Sequence, residues 1–303
     1  MNEYIINQLS TVVPRENIFP DEPMSRHTTF RTGGNADCYI KVTHRKQLID
    51  LFKLVKEMGR DYYVVGNGSN LLVSDNGYKG IIISMLGGMN EVTVEGNTIY
   101  AQAGALNSQI ASVAKANELT GFEFAAGIPG TIGGAMIMNA GAYGGEMAQV
   151  TEYVDVLNKN GEPMVLTNSA MEFEYRNSVL KNSCHIVLGA KIVLKKGDAG
   201  EIEAKMKELA SKRKEKQPLE YPSAGSTFKR PAGNFAGKLI EDAGLKGYSI
   251  GGAQVSKKHS GFIINTGTAT STDIYNLIKD VQNKVLEESG IELETEVIML
   301  GKF

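Results

Sequence analysis

The sequence predicts an α+β fold in two domains, and three observations carry that prediction. Short apolar runs bounded by glycines and Asn-Gly turns mark strands, and apolar residues at helical spacing mark helices between them. A shift to a Lys/Glu-rich helix after Leu194 marks a change of domain. A chain of 303 residues is also longer than one compact core usually serves.

Residues 1–25 are a polar lead-in, in which Leu9, Val12 and Val13 pack as one helical turn before Pro14 and Pro20 interrupt the chain. A β-rich piece starts at Tyr39, Leu48, Leu51, Val55 and Met58 form a helix face, and Tyr62–Val65 reads as a buried strand, which together make a small βαβ lobe. Leu71–Val73 and Ile81–Ser84 are short strands on either side of the Asn76-Gly77 turn. Thr98–Ala103 is a further strand, and Leu106, Ile110, Val113 and Ala114 line a helix that ends near Asn117. Val150–Leu157 and Pro163–Thr167 flank the Asn160-Gly161 hairpin signal, and His185–Leu194 is a longer apolar strand. The charged helix Glu201–Lys216 stops at Pro218. Beyond it come a helix at Phe235–Ala243 closed by Gly244, strands at Tyr248–Gly251 and Gly261–Asn265, and a long helix Thr272–Ser289 with Gly290 as its stop. A final strand covers Ile291–Leu300.

Composition narrows the function classes. Hydrophobic residues at 42%, charged residues at 22% and a formal charge of −2 fit a soluble globular protein whose partner is a small molecule rather than nucleic acid or membrane. Two cysteines, Cys38 and Cys184, point to a reducing compartment without a disulfide framework. No basic segment followed by an apolar run opens the chain, and no apolar run approaches the ~18 residues that span a bilayer, so a cytoplasmic location is expected. His27, His44, His185 and His259 stand singly, with no metal-ligand spacing, so no metal site is expected. There is no GxSxG elbow of the hydrolase type.

Four segments are candidates for chemistry. The first is a pair of glycine-rich stretches, Gly66–Asn70 and Gly127–Gly145, the second with seven glycines in nineteen residues. They are tight turns of a β-rich domain, or loops whose N–H groups cradle phosphates while Ile128, Ile132, Met136, Ile137 and Met138 line a ring system. Neither matches the GxGxxG or GxxxxGK[ST] signatures. The second is Gly225–Pro231, an exposed turn with incidental charge or a proton-donating Ser226 made more acidic by Lys229. The third is Tyr175-Arg176-Asn177-Ser178, a surface ion pair or an arginine that clamps a carboxylate at two points. The fourth is Glu296, on a strand face that changes there from acidic to apolar, either a solvated edge charge or a partly desolvated carboxylate suited to acid–base work.

Read together, these segments resemble the UDP-N-acetylenolpyruvoylglucosamine reductase family. The resemblance runs over nearly the whole chain, through TFRTGGNAD at Thr29–Asp37, GNGSNLLVSD at Gly66–Asp75, AAGIPGTIGGAMIMNAGAYGGE at Ala125–Glu146, EYRNS at Glu174–Ser178, AGSTFKRP at Ala224–Pro231 and LETEV at Leu293–Val297. It implies a FAD-binding fold of the vanillyl-alcohol-oxidase (PCMH) type in two lobes, about 26–75 and 76–197, with a UDP-sugar domain at 198–303 whose last strand returns a catalytic glutamate. It implies non-covalent FAD, because related covalent attachments use a histidine or cysteine and neither glycine-rich segment holds one.

By the same resemblance, FAD contacts fall on Val65, Gly66, Asn67, Gly68, Ser69, Asn70, Leu71, Gly127, Pro129, Gly130, Gly134, Ala135, Asn139, Gly141 and Ala142. The catalytic set is Arg176, Ser226 and Glu296, with Ser226 as proton donor and the other two assisting an enolic intermediate. NADPH is the implied hydride donor, and the implied substrate is the enolpyruvyl ether of UDP-N-acetylglucosamine. Tyr175, Arg213, Lys216, Lys229, Arg230 and His259 are candidates for the sugar nucleotide. Only a short stretch separates the second glycine-rich segment from Glu174, as in the family's shorter subtype, and Arg230 stands where the longer subtype has an asparagine. A monomer is expected. The rival readings are another flavin oxidoreductase of the same fold, of the sugar-lactone oxidase type, and a non-catalytic UDP-sugar-binding protein.

Overall fold

The computed structural model describes residues 2–303. It contains the helices α1 (Glu3–Leu9), α2 (Arg45–Glu57), α3 (Asn107–Ala116), α4 (Ile132–Ile137), α5 (Ala199–Lys216), α6 (Ala236–Asp242) and α7 (Ser271–Ser289), interleaved with short strands. Two compact units emerge. The first comprises Met1–Pro20, Cys38–Asn67 and Gly80–Lys212, and the second Asp21–Asp37, Gly68–Lys79 and Arg213–Phe303. The units are therefore not continuous in sequence. Segments at 21–37 and 68–79 belong with the C-terminal third because their apolar residues Phe30 and Leu72 are buried in its core.

In the first unit an antiparallel sheet takes Pro163–Thr167, Thr151–Leu157, Ile186–Val193, Thr98–Gln102 and Val92–Glu95 in that order. The Asn160-Gly161 signal holds: Leu157 pairs with Pro163, and Gly161 supplies the left-handed residue, φ +79°, that closes the loop between them. Tyr62–Val65 runs parallel to Ile81–Ser84, with α2 burying Leu48, Leu51, Phe52 and Val55 as its spacing predicts. One core joins this α/β layer to the antiparallel sheet through Ile81, Ile83, Ile99, Ile110, Val154 and Leu188.

The lead-in is more ordered than its sequence suggests. Asn2 accepts from the Ile5 N–H and caps α1, which buries Ile5, Ile6 and Leu9. Ile18–Pro23 forms a strand despite its prolines, and it lies at the edge of its sheet, the position in which a strand tolerates proline.

The second unit packs α6, α7 and the small antiparallel sheet Ser249–Ile250, Ala253–Val255 and Ile263–Asn265 around a core that includes Ile240, Val255, Ile263, Leu277 and Val281. Helix α7 opens with a reciprocal capping box: Thr270 accepts from the Asp273 N–H, and Asp273 accepts from the Thr270 N–H. It closes at Gly290, φ +69°. The expected strand over Ile291–Leu300 is a correction, since only Ile298–Leu300 is strand, parallel to Leu71–Val73. Residues before it pair instead with the segment around Ser226, and that bends the chain out of a continuous ladder.

Candidate active site

In the first unit the two glycine-rich segments meet. The Asn67 Nδ2 donates to the Pro129 carbonyl at 2.6 Å, and a Cβ on Gly66 would lie 2.5 Å from Thr131 Oγ1, so only glycine fits at that crossing. The second segment is more than a loop. Thr131 caps α4, and the N–H groups of Ile132 and Gly133 donate to the carbonyls of Ala105 and Ala103. Glycines at 133 and 134 hide this helical turn from a propensity reading. Gly133 is needed for docking, because its Cβ would stand 3.0 Å from the Ala103 carbonyl oxygen. Gly127, Pro129 and Gly134 are exposed and Gly130 is half-buried, whereas Ala135 and Asn139 are buried.

Arg176 is fastened to the same segment. It sits in the tight turn between Glu174 and Asn177 with left-handed backbone, φ +54°, a conformation that side chains other than glycine adopt at a cost. Its Nη2 donates to the Gly141 carbonyl at 3.2 Å, and its guanidinium lies 5.2 Å from the Tyr175 ring centroid. Two further bonds clamp the turn. Asn139 Nδ2 donates to the Glu174 carbonyl while its Oδ1 accepts from the Ala148 N–H, and Ser178 Oγ donates to the Ile137 carbonyl. The Asn139 carboxamide thus joins the 139–148 stretch to the turn that carries Arg176. Arg176 and the Gly141–Ala142 backbone are brought together.

In the second unit Gly68 turns the chain with φ +59° against the 27–29 segment, where a Cβ would sit 2.0 Å from the His27 carbonyl oxygen. The N–H groups of Gly68, Ser69 and Asn70 follow one another in this turn. Consecutive N–H groups beside a left-handed glycine suit an anionic group such as a diphosphate. Asn70 also reaches the candidate acid–base residues, since its Nδ2 donates to the Glu296 carbonyl at 3.0 Å.

Ser226 and Glu296 lie on paired segments. Phe228 bridges Thr295 in antiparallel register, the Glu296 N–H donates to the Thr227 carbonyl at 2.8 Å, and the Lys229 N–H donates to the Glu294 carbonyl at 2.9 Å. Thr227 is buried. Its N–H donates to the Gly261 carbonyl, and its Oγ1 accepts from the Ile263 N–H, which fixes the backbone beneath an exposed Ser226. Glu296 is half-buried, at the end of the acidic run. Lys229 is engaged elsewhere than the sequence suggests: its Nζ pairs with Glu294 Oε2 at 2.6 Å. That bond draws the ammonium toward a carboxylate, so Lys229 is a weaker acidifier of Ser226 than its position in the motif implies.

His259 lies in the turn that Thr227 binds. Its Nδ1 accepts from the Gly261 N–H at 3.1 Å, which leaves Nε2 as the donor of a neutral ring, and burial lowers its pKa from the ordinary 6.5. It therefore offers a neutral donor, not the cation a diphosphate contact would favour. Because the unfolded chain takes up this proton first, folded stability falls as pH drops below about 6.5. A melting series from pH 7.5 to 5.5 should show a shallower decline for His259→Gln than for the parent protein, and parallel declines would contradict the assignment.

Arg213 and Lys216 occupy the last turn of α5, and Lys258 Nζ donates to the Lys214 carbonyl, which places that turn beside the one carrying His259. Sequence reasoning passed over two groups here. The Ser260 hydroxyl is buried and makes no hydrogen bond, and Phe235, read as part of a helix, is 62% exposed with the Arg230 guanidinium 4.6 Å from its ring centroid. Periodicity signals neither.

Comparison with known proteins fixes the class first. Residues 36–167 match the family described as FAD binding domain, so the chain is an FAD-binding protein of α+β architecture. Residues 217–300 match the UDP-N-acetylenolpyruvoylglucosamine reductase C-terminal domain. A UDP-N-acetylenolpyruvoylglucosamine reductase of Caldanaerobacter subterraneus subsp. tengcongensis is 52% identical over 302 residues, covering all of both chains. One from Clostridium perfringens is 47% identical over 304 residues, again across both full lengths. The crystal structure of the enzyme from Thermus caldophilus superposes with a TM-score of 0.80 at 35% identity, covering 92% of this chain and 98% of that one. The chain belongs to the UDP-N-acetylenolpyruvoylglucosamine reductase family.

Proposed function

We infer that the protein reduces the enolpyruvyl group of UDP-N-acetyl-3-O-(1-carboxyvinyl)-glucosamine to give UDP-N-acetylmuramate, with NADPH as reductant and FAD as cofactor, a step of peptidoglycan synthesis. The observation that carries this is identity of 47–52% to reductases of that name across their full length. FAD, when bound, accepts hydride from NADPH and delivers it to the vinyl carbon of the substrate.

The protein's own groups do the rest. The Gly68–Asn70 donors, with Val65–Asn67 and Leu71, hold the diphosphate end of the cofactor, and Gly127, Pro129, Gly130, Gly134, Ala135, Asn139, Gly141 and Ala142 supply the other contacts from a segment dense in glycine. Neither segment contains histidine or cysteine, which supports dissociable FAD. Hydride addition leaves negative charge on the carbon beside the substrate carboxylate, and that charge needs a cation and a proton. Arg176 supplies the cation, held by Gly141 and Tyr175. Ser226 Oγ gives the proton from a fixed backbone, and Glu296 supports the enolic form from the segment paired to it.

Tyr175, Arg213, Lys216, Lys229, Arg230 and His259 serve the sugar nucleotide, so residues 26–197 carry most cofactor contacts and 198–303 most substrate contacts. No helix among the described residues is long and apolar enough to cross a membrane. We place the enzyme in the cytoplasm as a monomer, a location the sparse cysteine usage supports. In a steady-state assay NADPH oxidation should require the enolpyruvyl UDP-sugar, and UDP-N-acetylglucosamine should not replace it. NADPH oxidation indifferent to the enolpyruvyl group would overturn the reading.

A further inference from the structure

We propose that Phe235, with Arg230 stacked on it, is the platform that takes the nucleobase of the sugar nucleotide, an assignment that rests on the function proposed above. Phe235 is 62% exposed, the most exposed large hydrophobic side chain of the second unit. Single surface hydrophobes are ordinary, and exposure alone would carry nothing. Two further observations single this one out.

The first is that the ring is held from both its backbone and its π-face. Ala236, the next residue, is buried, and Gly237 packs on the His259–Gly261 turn so closely that a Cβ would lie 3.3 Å from the Gly261 nitrogen and 3.6 Å from His259 Cε1. The backbone under Phe235 is thus fixed by the same turn that binds the Thr227 N–H. The Arg230 guanidinium stands 4.6 Å from the ring centroid, a cation–π contact that limits the ring's motion.

The second is what lies around it. Arg230 belongs to the run that begins at Ser226, and that run and the His259 turn are joined through Thr227. A largely exposed aromatic ring, the guanidinium on it and a neutral imidazole donor therefore sit on segments joined to the one that carries Ser226. A flat apolar surface next to a cation suits a base joined to a diphosphate: the ring stacks on the base and the guanidinium lies toward the phosphates. Phenylalanine has no polar tip, so the contact recognises the π-face of a base rather than its hydrogen-bonding edge.

Besides FAD, two nucleotides meet this enzyme, the UDP-sugar and NADPH, and the assignment is to the uracil of the first. The test is calorimetric titration of the FAD-loaded protein with UDP, alongside KM for the enolpyruvyl UDP-sugar and for NADPH. Phe235→Ala should weaken UDP binding and raise the UDP-sugar KM by about tenfold, the usual scale for loss of one base–aromatic stack. KM for NADPH should change by less than about twofold. Phe235→Tyr, which restores a ring, should restore UDP affinity.

Because the side chain is exposed, its removal leaves no cavity, and an unchanged melting temperature verifies the fold. UDP affinity that Phe235→Ala leaves intact would overturn the proposal, as would a rise confined to the NADPH KM, which would assign the ring to adenine. Parent protein that binds UDP but fails to turn over the enolpyruvyl substrate would instead overturn the function on which the proposal rests.

Discussion

Ser226→Ala is expected to leave bleaching of the bound flavin by NADPH intact and to slow turnover of the enolpyruvyl substrate by about 10³-fold, the scale of a lost general acid. The two half-reactions separate because only the second needs a proton delivered to carbon. The substitution should also be structurally silent. Ser226 is exposed, and the bonds that set its backbone belong to its neighbours: Thr227 to Gly261 and Ile263, Phe228 to Thr295 and Lys229 to Glu294. Stopped-flow absorbance of each half-reaction measures the split. Equal loss of both would mean that the serine acts on the fold or the cofactor, not on proton delivery.

Glu296→Gln should lower kcat by about 10²-fold while changing substrate KM little, because an amide keeps the shape of the side chain but neither its charge nor its basicity. The backbone around it is independent of the carboxylate. Its carbonyl accepts from Asn70 and its N–H donates to Thr227, and both bonds survive the exchange. A loss expressed mainly in KM would instead make Glu296 a substrate-binding group. The residue is half-buried where an acidic run gives way to Val297, a setting in which a carboxylate is less hydrated than on an open edge.

Local signals made much of the fold legible. The spacing of Leu48, Leu51 and Val55 found α2, and Gly290 marked the end of α7 because its left-handed backbone is a glycine conformation. The Asn160-Gly161 pair found its hairpin. Features that depend on a distant partner stayed hidden. The chain before Ile298 leaves the expected strand because its partners, Thr227 and Phe228, are remote in sequence, and no period-2 pattern records a partner. Helix α4 was masked by its glycines, of which Gly133 docks closely on Ala103. In the same way Ile18–Pro23 reads as broken chain because proline excludes interior strands but not an edge.

The candidate site divides along the same line. Residue types announced Arg176, Ser226 and Glu296 as chemically apt, and only the family resemblance gave them roles. What the sequence hides is the support: Asn139 bonds the Arg176 turn, Thr227 pins the serine, and Asn70 ties the first glycine-rich segment to Glu296. Lys229 shows the opposite case, since adjacency in the motif suggests a cation for Ser226 and Glu294 engages it instead.

The central claim is that this protein passes reducing equivalents from NADPH to an enolpyruvyl UDP-sugar. An anaerobic visible spectrum tests it most directly. The purified, FAD-loaded protein should be yellow, lose its colour on addition of NADPH, and regain it when the enolpyruvyl UDP-sugar is added but not when UDP-N-acetylglucosamine is. Protein that stays bleached with the enolpyruvyl substrate and recolours only on admission of oxygen would be an oxidase, and protein that binds no FAD would contradict the account entirely.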